Sequence, residues 1–291
     1  MPAKFARGLP LPADLEPHLR SALQQILERP GRLIRAKLVY RMSQAWGLGE
    51  ERATALALAV EYFHTASLVF DDLPCMDDAT HRRGEACVHR VHGEATAMLA
   101  ALALVNRAYA LMWQGFRGST PEEQSVAGAY AEKCLGVAGL LNGQSQDLRY
   151  GETRLSPLQI ATGKTVSLIQ LALVMPAMLG GAGRVEVKLL ERLASFWGLS
   201  YQILDDLKDV SLTPEQMGKD GAQDAALDRP NLALAVGVSG ARQRLDRLMR
   251  LGDVTLGRLT RRRDGLGFLA GLRERFRNEI AGLPPVLNPG A

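Results

Sequence analysis

Apolar and small side chains recur along this chain at helical spacing: Leu15, Leu19, Leu23, Ile26 and Leu27 in one stretch, Leu56, Val60, Phe63 and Ser67 in a second, Leu189, Leu193, Phe196 and Leu199 in a third. Steps of three and four put such residues on one face of an α-helix, the face that must find a core. Alternating runs of the strand type are scarce, β-branched residues are outnumbered by Ala and Leu, and no hairpin signal separates two apolar runs. The pattern predicts an all-α fold.

Breaks in the helical pattern are predicted at Arg29-Pro30-Gly31, at Leu73-Pro74, from Gly115 to Pro121, near Gly180 to Gly183 and from Thr213 to Pro230. None has the character of a domain linker, so residues 1–291 read as one domain, with 283–291 as a frayed tail. The polar, Gly- and Asp-rich stretch from Thr213 to Pro230 reads as a mobile surface loop beside whatever the preceding helix presents.

Composition narrows the function. Hydrophobic residues at 47% and charged residues at 23% fit a packed globular chain. Lys plus Arg at 35 against Asp plus Glu at 31 leaves +4, too mild to argue for a nucleic-acid partner. The N-terminus lacks the apolar core of a signal peptide, and the most apolar run, Ala95 to Val105, falls short of the ~20 residues that span a bilayer. Cys75, Cys87 and Cys134 are odd in number and lack paired spacing, which favours reduced thiols. A soluble, cytoplasmic protein without stable membrane insertion is expected.

Two acidic clusters carry the chemistry. An otherwise apolar helix runs through Glu61 and His64 into Asp71-Asp72-Leu73-Pro74-Cys75-Met76-Asp77-Asp78. Pro74 should loosen the last turn and let Asp77 swing back beside Asp71. In the second cluster, Gln202 to Asp209, Asp205 and Asp209 stand at i and i+4 with Asp206 beside them. Like charges at that spacing destabilise a bare helix, so a cation is needed to explain them. Magnesium suits: it takes hard oxygen ligands and is held by one or two carboxylates together with substrate phosphates. Arg82 and Arg83 follow the first cluster, and guanidinium forks recognise phosphate oxygens. Arg32 and Arg35, Lys164 with Thr165, and Lys219 and Arg229 are further anion-binding candidates.

Taken in order, Gly31-Arg32-Leu33-Ile34-Arg35, Glu61-Tyr62-Phe63-His64 through Arg82-Arg83-Gly84, Gly139 through Gln144 with Asp147, Lys164-Thr165, and Gln202 through Asp209 resemble the polyprenyl synthetase family, most of all the bacterial geranylgeranyl diphosphate synthases. The resemblance implies a helical isoprenoid-synthase bundle with a central cavity, acting as a homodimer. It implies that Asp71, Asp72, Asp77, Asp205, Asp206 and Asp209 bind three magnesium ions with an allylic diphosphate (dimethylallyl, geranyl or farnesyl), which Arg82, Lys164 and Lys219 also hold. Isopentenyl diphosphate would fall to Arg32, Arg35, His64 and Arg83, with Gln202 shaping the chamber. Arg32 stands where the family usually has Lys, Leu33 where it has Arg, Ala36 where it has Pro, and Arg229 where many members have Lys.

The implied reaction is loss of diphosphate from the allylic substrate, attack by the double bond of isopentenyl diphosphate, and proton loss to the departed diphosphate. Residues at i, i+3/i+4 and i+7/i+8 share a helix face, so Phe63, Ala66 with Ser67, and Phe70 with Asp71 line one wall. Ala66 and Ser67 let a growing chain pass; Phe63, about 12 Å below Asp71, stops it. An aromatic at the place of Ala66 marks many farnesyl synthases of the family, so its absence suggests the twenty-carbon product. The alternatives are a farnesyl synthase, a terpene cyclase or a non-catalytic subunit on the same fold, and a metal-binding structural protein.

Overall fold

A computed structural model describes residues 1–211 and 229–283, and helices make up nearly all of their regular structure. By contacts the described residues fall into two compact units, Met1–Val126 with Leu179–Gly181, and 127–178 with 182–211 and 229–283.

The first unit contains α1 (Pro2–Gly8), α2 (Pro17–Glu28), α3 (Ile34–Ala45), α4 (Glu50–Asp71), α5 (Val88–His92) and α6 (Glu94–Phe116). The predicted breaks at Arg29-Pro30-Gly31 and at Leu73-Pro74 fall between two of these helices, and the one that begins at Gly115 overlaps the last two residues of α6. α4 is apolar on nearly every side, is buried without interruption from Ala55 to Phe63, and packs against α3 and α6. A helix hydrophobic all round has to sit inside. α1 is stapled to it: the Phe5 and Tyr62 rings stand 4.8 Å apart, and the Tyr62 hydroxyl donates to the Phe5 carbonyl at 2.5 Å. α3 begins on Leu33, which is left-handed at φ 51°, buried, and offers no side-chain cap. The missing cap comes from α4, whose buried Glu61 accepts the Ala36 N–H at 2.9 Å. Leu33 is therefore a core anchor in the place where the family carries a cation.

Among the described residues one short hairpin joins the helices, and its strands are not apolar runs. His81–Arg82 (β1) pairs antiparallel with Glu85–Ala86 (β2), and the two turn residues, Arg83 and Gly84, both have positive φ, 57° and 79°. That is what a tight primed turn requires, and the usual signal is Asn-Gly. An arginine gives no such signal. It is held there because its guanidinium lies over Gly31, where any side chain would collide with it, and donates to the Arg29 carbonyl at 3.1 Å.

α7 (Pro121–Leu135) is followed by α8 (Leu140–Leu148) and α9 (Pro157–Ala161). Next come a π-helical turn at Thr162–Val166, α10 (Ser167–Leu179), α11 (Arg184–Ser211), α12 (Leu232–Thr260) and α13 (Phe268–Ala281). In the second unit, Ile203, Leu204 and Leu207 of α11 form a core with Leu232, Ala241, Leu245 and Met249 of α12. The polar stretch after α11 lies outside the described residues up to Asp228, Lys219 included.

Three stretches, Glu50–Asp71, Glu94–Phe116 and Pro157–Leu179, are long and apolar enough to cross a membrane by length and composition. This is more than the Ala95 to Val105 run suggests. The apolar window of Glu50–Asp71 is 72% buried, so the core accounts for it; that of α6 is only 39% buried. Met98, Leu99, Leu102, Tyr109 and Trp113 make an exposed apolar stripe along α6.

Candidate functional site

The end of α4 does what Pro74 predicts. The helix stops at Asp71, and the Asp77 N–H turns back to donate to the Asp71 carbonyl at 2.9 Å, closing a loop that brings these two acids to the same turn. Asp72 is 4% exposed and engaged: Arg82 reaches its Oδ1 through Nε at 2.6 Å and through a terminal nitrogen at 2.5 Å. Asp78, outside the proposed set, pairs with Arg90 at 2.7 Å. The β1–β2 hairpin thus delivers Arg82 to the acidic turn and Arg83 to the Gly31 turn.

A cationic cluster stands in the same unit. Arg35 donates to His64 Nε2 at 3.0 Å, which leaves His64 a neutral acceptor. Burial, followed by the charges of Arg35, Arg83 and Arg82, holds its pKa well below 6.5. Burial also lowers Arg83, opposed by Glu61 and aided by Arg82 and Arg35. Guanidiniums gathered around one neutral imidazole repel each other, and a dianion relieves that repulsion. Arg32 is exposed on the turn before α3.

In the second unit the π-helical turn presents Lys164 and Thr165. Turns of this kind are often functional because they re-aim side chains. A Cβ on Gly143 of α8 would overlap the backbone of Gly163 and Lys164, so the two segments touch main chain to main chain. That closeness lets the buried Asp147 receive Lys164 Nζ at 2.6 Å, while Arg229 donates to the Asp147 carbonyl at 3.4 Å. Beside it runs a chain of bonds. Thr165 Oγ1 donates to Gln202 Oε1 at 2.7 Å, and Gln202 Nε2 donates to Asp206 Oδ1 at 2.8 Å. The first N–H of α12, Leu232, donates to Asp206 Oδ2 at 2.8 Å, and Asn231 to the Asp206 carbonyl at 3.3 Å. Asp206, 1% exposed, therefore ties α11 to the start of α12, whereas Asp205 and Asp209 are half-buried.

Among the described residues no group of three or more His, Cys, Asp or Glu closes on one point. The donor set fits magnesium all the same: these are hard carboxylate oxygens of the kind that hold it jointly with phosphate. On the proposed chain-length face, Phe63 is 6% exposed and meets Tyr109 of α6 edge-on at 4.9 Å, Ala66 is buried, and Ser67 donates to the His64 carbonyl. The cap from Glu61, the Asn231 contact and the π-helical turn escaped sequence reading. Each depends on a partner distant along the chain, and no local pattern marks it.

The polyprenyl synthetase family profile matches residues 16–254. Over 235 residues the chain is 35% identical to the chloroplastic geranylgeranyl pyrophosphate synthase of Capsicum annuum, which covers 78% of this chain and 63% of that protein. Geranylgeranyl pyrophosphate synthase 9 of Arabidopsis thaliana is 32% identical over 247 residues, 82% of this chain and 68% of its own. The chain thus spans about two thirds of the length of these curated relatives, which are plant proteins and not the bacterial ones the motifs suggested. The fold aligns with a geranyltransferase from Helicobacter pylori, crystallised with magnesium and isoprenyl diphosphate, at a TM-score of 0.81. That alignment has 24% identity and covers 96% of this chain and 92% of the other.

Proposed function

This chain belongs to the polyprenyl synthetase family, and on that premise we propose that it is a trans-prenyltransferase that condenses isopentenyl diphosphate with dimethylallyl, geranyl or farnesyl diphosphate and yields geranylgeranyl diphosphate. The observation that carries the reading is the cluster of Arg35, Arg82 and Arg83 about a neutral His64, in the same unit as the closed Asp71–Asp77 turn. Cations of this density, with a histidine that adds no charge, suit a diphosphate.

Arg35, His64 and Arg83, with Arg32, bind isopentenyl diphosphate in this reading; Arg82, Lys164 and Lys219 bind the allylic diphosphate, with Thr165 and Arg229 beside Lys164. Asp71, Asp72, Asp77, Asp205, Asp206 and Asp209 would hold magnesium, three ions bound together with diphosphate. When bound, magnesium neutralises the charge of the departing diphosphate. Asp72 and Asp206 also serve as positioning residues, the first orienting Arg82 and the second orienting Gln202 and the start of α12. No histidine base is needed, because the departed diphosphate takes the proton. Phe63 sets the floor below Ala66 and Ser67, and the small pair favours the twenty-carbon product.

The whole chain acts as one catalytic domain. The exposed stripe on α6 supports a homodimer, since monomers rarely leave that many large apolar side chains in one row. Cys75, Cys87 and Cys134 are free thiols, which supports the cytoplasm. The test is incubation with magnesium, isopentenyl diphosphate and each allylic diphosphate in turn, with products identified by mass. Elongation to twenty carbons is expected; no elongation with any starter overturns the reading.

A further inference from the structure

The net charge of +4 is unevenly distributed: residues 232–283 carry eleven arginines against five carboxylates, a local +6. On α12 these arginines are ordered. Arg247, Arg250, Leu251, Val254, Arg258 and Arg261 follow one another at steps of one, three and four, and Arg261 keeps helical backbone angles, so all six lie on one face. The four arginines are exposed, and Leu251 and Val254 are 41% and 56% exposed between them. The opposite face, with Leu245, Met249, Leu256 and Leu259, is buried.

None of the four arginines forms an ion pair among the described residues. Of the two acids on α12, Asp253 is turned to α13, where Arg273 and Arg277 take it at 2.6 and 2.8 Å. Asp246 makes no ion pair among the described residues. Arg244 and Arg262 flank the row on the same side and are exposed too. The result is a straight ridge of uncompensated positive charge about 21 Å long.

We infer that this face of α12 docks the protein on an anionic lipid bilayer. A row of like charges on a straight rod matches a plane of headgroup phosphates, where every guanidinium is used at once. The two exposed aliphatic side chains discriminate among polyanions. They gain by entering the boundary between headgroups and acyl chains, whereas against nucleic acid they gain little, and no aromatic ring stands in the row to stack on a base. The contact is peripheral, since α12 keeps its other face in the core of its own unit.

The full chain is sedimented with vesicles of phosphatidylcholine containing about 30% phosphatidylglycerol, and with phosphatidylcholine alone, at low and high salt. Binding is expected to the anionic vesicles only, weakening at least tenfold with salt. The variant Arg247→Gln/Arg250→Gln/Arg258→Gln/Arg261→Gln should lose about 100-fold or more in partitioning while keeping its prenyltransferase rate in detergent-free buffer. Should that variant not melt cooperatively, Arg247→Gln and Arg258→Gln alone, each expected to lose about fivefold, give the same reading. Leu251→Ser/Val254→Ser should lower the part of the binding that survives high salt. The inference is overturned if the natural chain ignores anionic vesicles, if neutralising the row leaves partitioning unchanged, or if the chain prefers duplex RNA to vesicles at equal phosphate.

Discussion

Asp206 separates two roles that one carboxylate can combine. A metal ligand loses activity when neutralised but leaves the fold alone; a residue that joins two helices takes stability with it. Asp206 is 1% exposed, and its two oxygens each receive a donor at 2.8 Å, Gln202 Nε2 and the Leu232 N–H. Thr165 holds the other end of Gln202 at Oε1. In Asp206→Ala both acceptors are lost, and the Gln202 amide and the Leu232 N–H are left without their partner. A buried donor left unsatisfied costs about 1–3 kcal/mol. At about 2 kcal/mol, in a chain of this size, the melting temperature should fall by about 4 °C. Asp205 and Asp209 are half-buried on the same helix, so Asp205→Asn and Asp209→Asn should stay within about 0.5 kcal/mol of the natural chain while losing activity. Differential scanning calorimetry alongside product assays reads both quantities. If Asp206→Ala melts with the natural protein, Asp206 does not tie α11 to α12.

Gly143→Ala would push α8 off the π-helical turn and separate Asp147 from Lys164; overpacking of this kind costs about 1–3 kcal/mol. The displaced Lys164 should lower kcat/KM by roughly 100-fold, and an unaltered kcat/KM in steady-state assays would remove Lys164 from the site. His64 supplies a pH test. Its pKa is held well below 6.5, so its stabilising contribution is complete above pH 6.5 and is lost progressively as the pH falls from there towards the folded value. The melting temperature of His64→Gln should therefore drop less than that of the natural chain between about pH 7.5 and about pH 5.5; equal drops refute the buried neutral imidazole. Phe63→Ala should cost about 3–5 kcal/mol and lengthen the products seen by mass spectrometry, and unchanged chain length removes Phe63 as the floor. Trp113→Glu, in the exposed stripe of α6, should yield monomers in light scattering; an intact dimer would move the interface elsewhere.

What was legible in the sequence was whatever one stretch of chain decides by itself. The helices followed from spacing, and their ends from Pro30-Gly31, Pro74 and Gly180 to Gly183, because a backbone without an N–H or without a Cβ acts on its own neighbours. The return of Asp77 to Asp71 was legible for the same reason, a proline three residues before it. What the sequence hid was every feature whose cause lies elsewhere in the chain. Arg83 takes a left-handed conformation for the sake of Gly31, fifty-two residues earlier in the chain, so the hairpin carried no local mark. Asp72 and Asp206 looked equivalent to their neighbours within the acidic motifs, and only burial and named donors set them apart.

The same distinction bears on Leu33. In the sequence it reads as a missing cation in a turn that should bind diphosphate; in the fold it is a buried, left-handed residue at the start of α3, beside an Ala36 N–H held by Glu61. A left-handed leucine costs roughly 1–2 kcal/mol, and burying its side chain returns an amount of that order. The turn before α3 thus carries an anchor where the family carries a charge, and the proposed anion-binding charge in this unit falls to Arg35, Arg82 and Arg83, with Arg32 exposed in the turn. Cations fixed from two directions, Arg35 from α3 and Arg82 and Arg83 from the hairpin, hold their geometry better than a flexible arginine in the turn would. Loss of Arg35 or Arg83 should therefore be felt in the affinity for isopentenyl diphosphate, and loss of Arg82 in that for the allylic diphosphate, more than the change at Leu33 is.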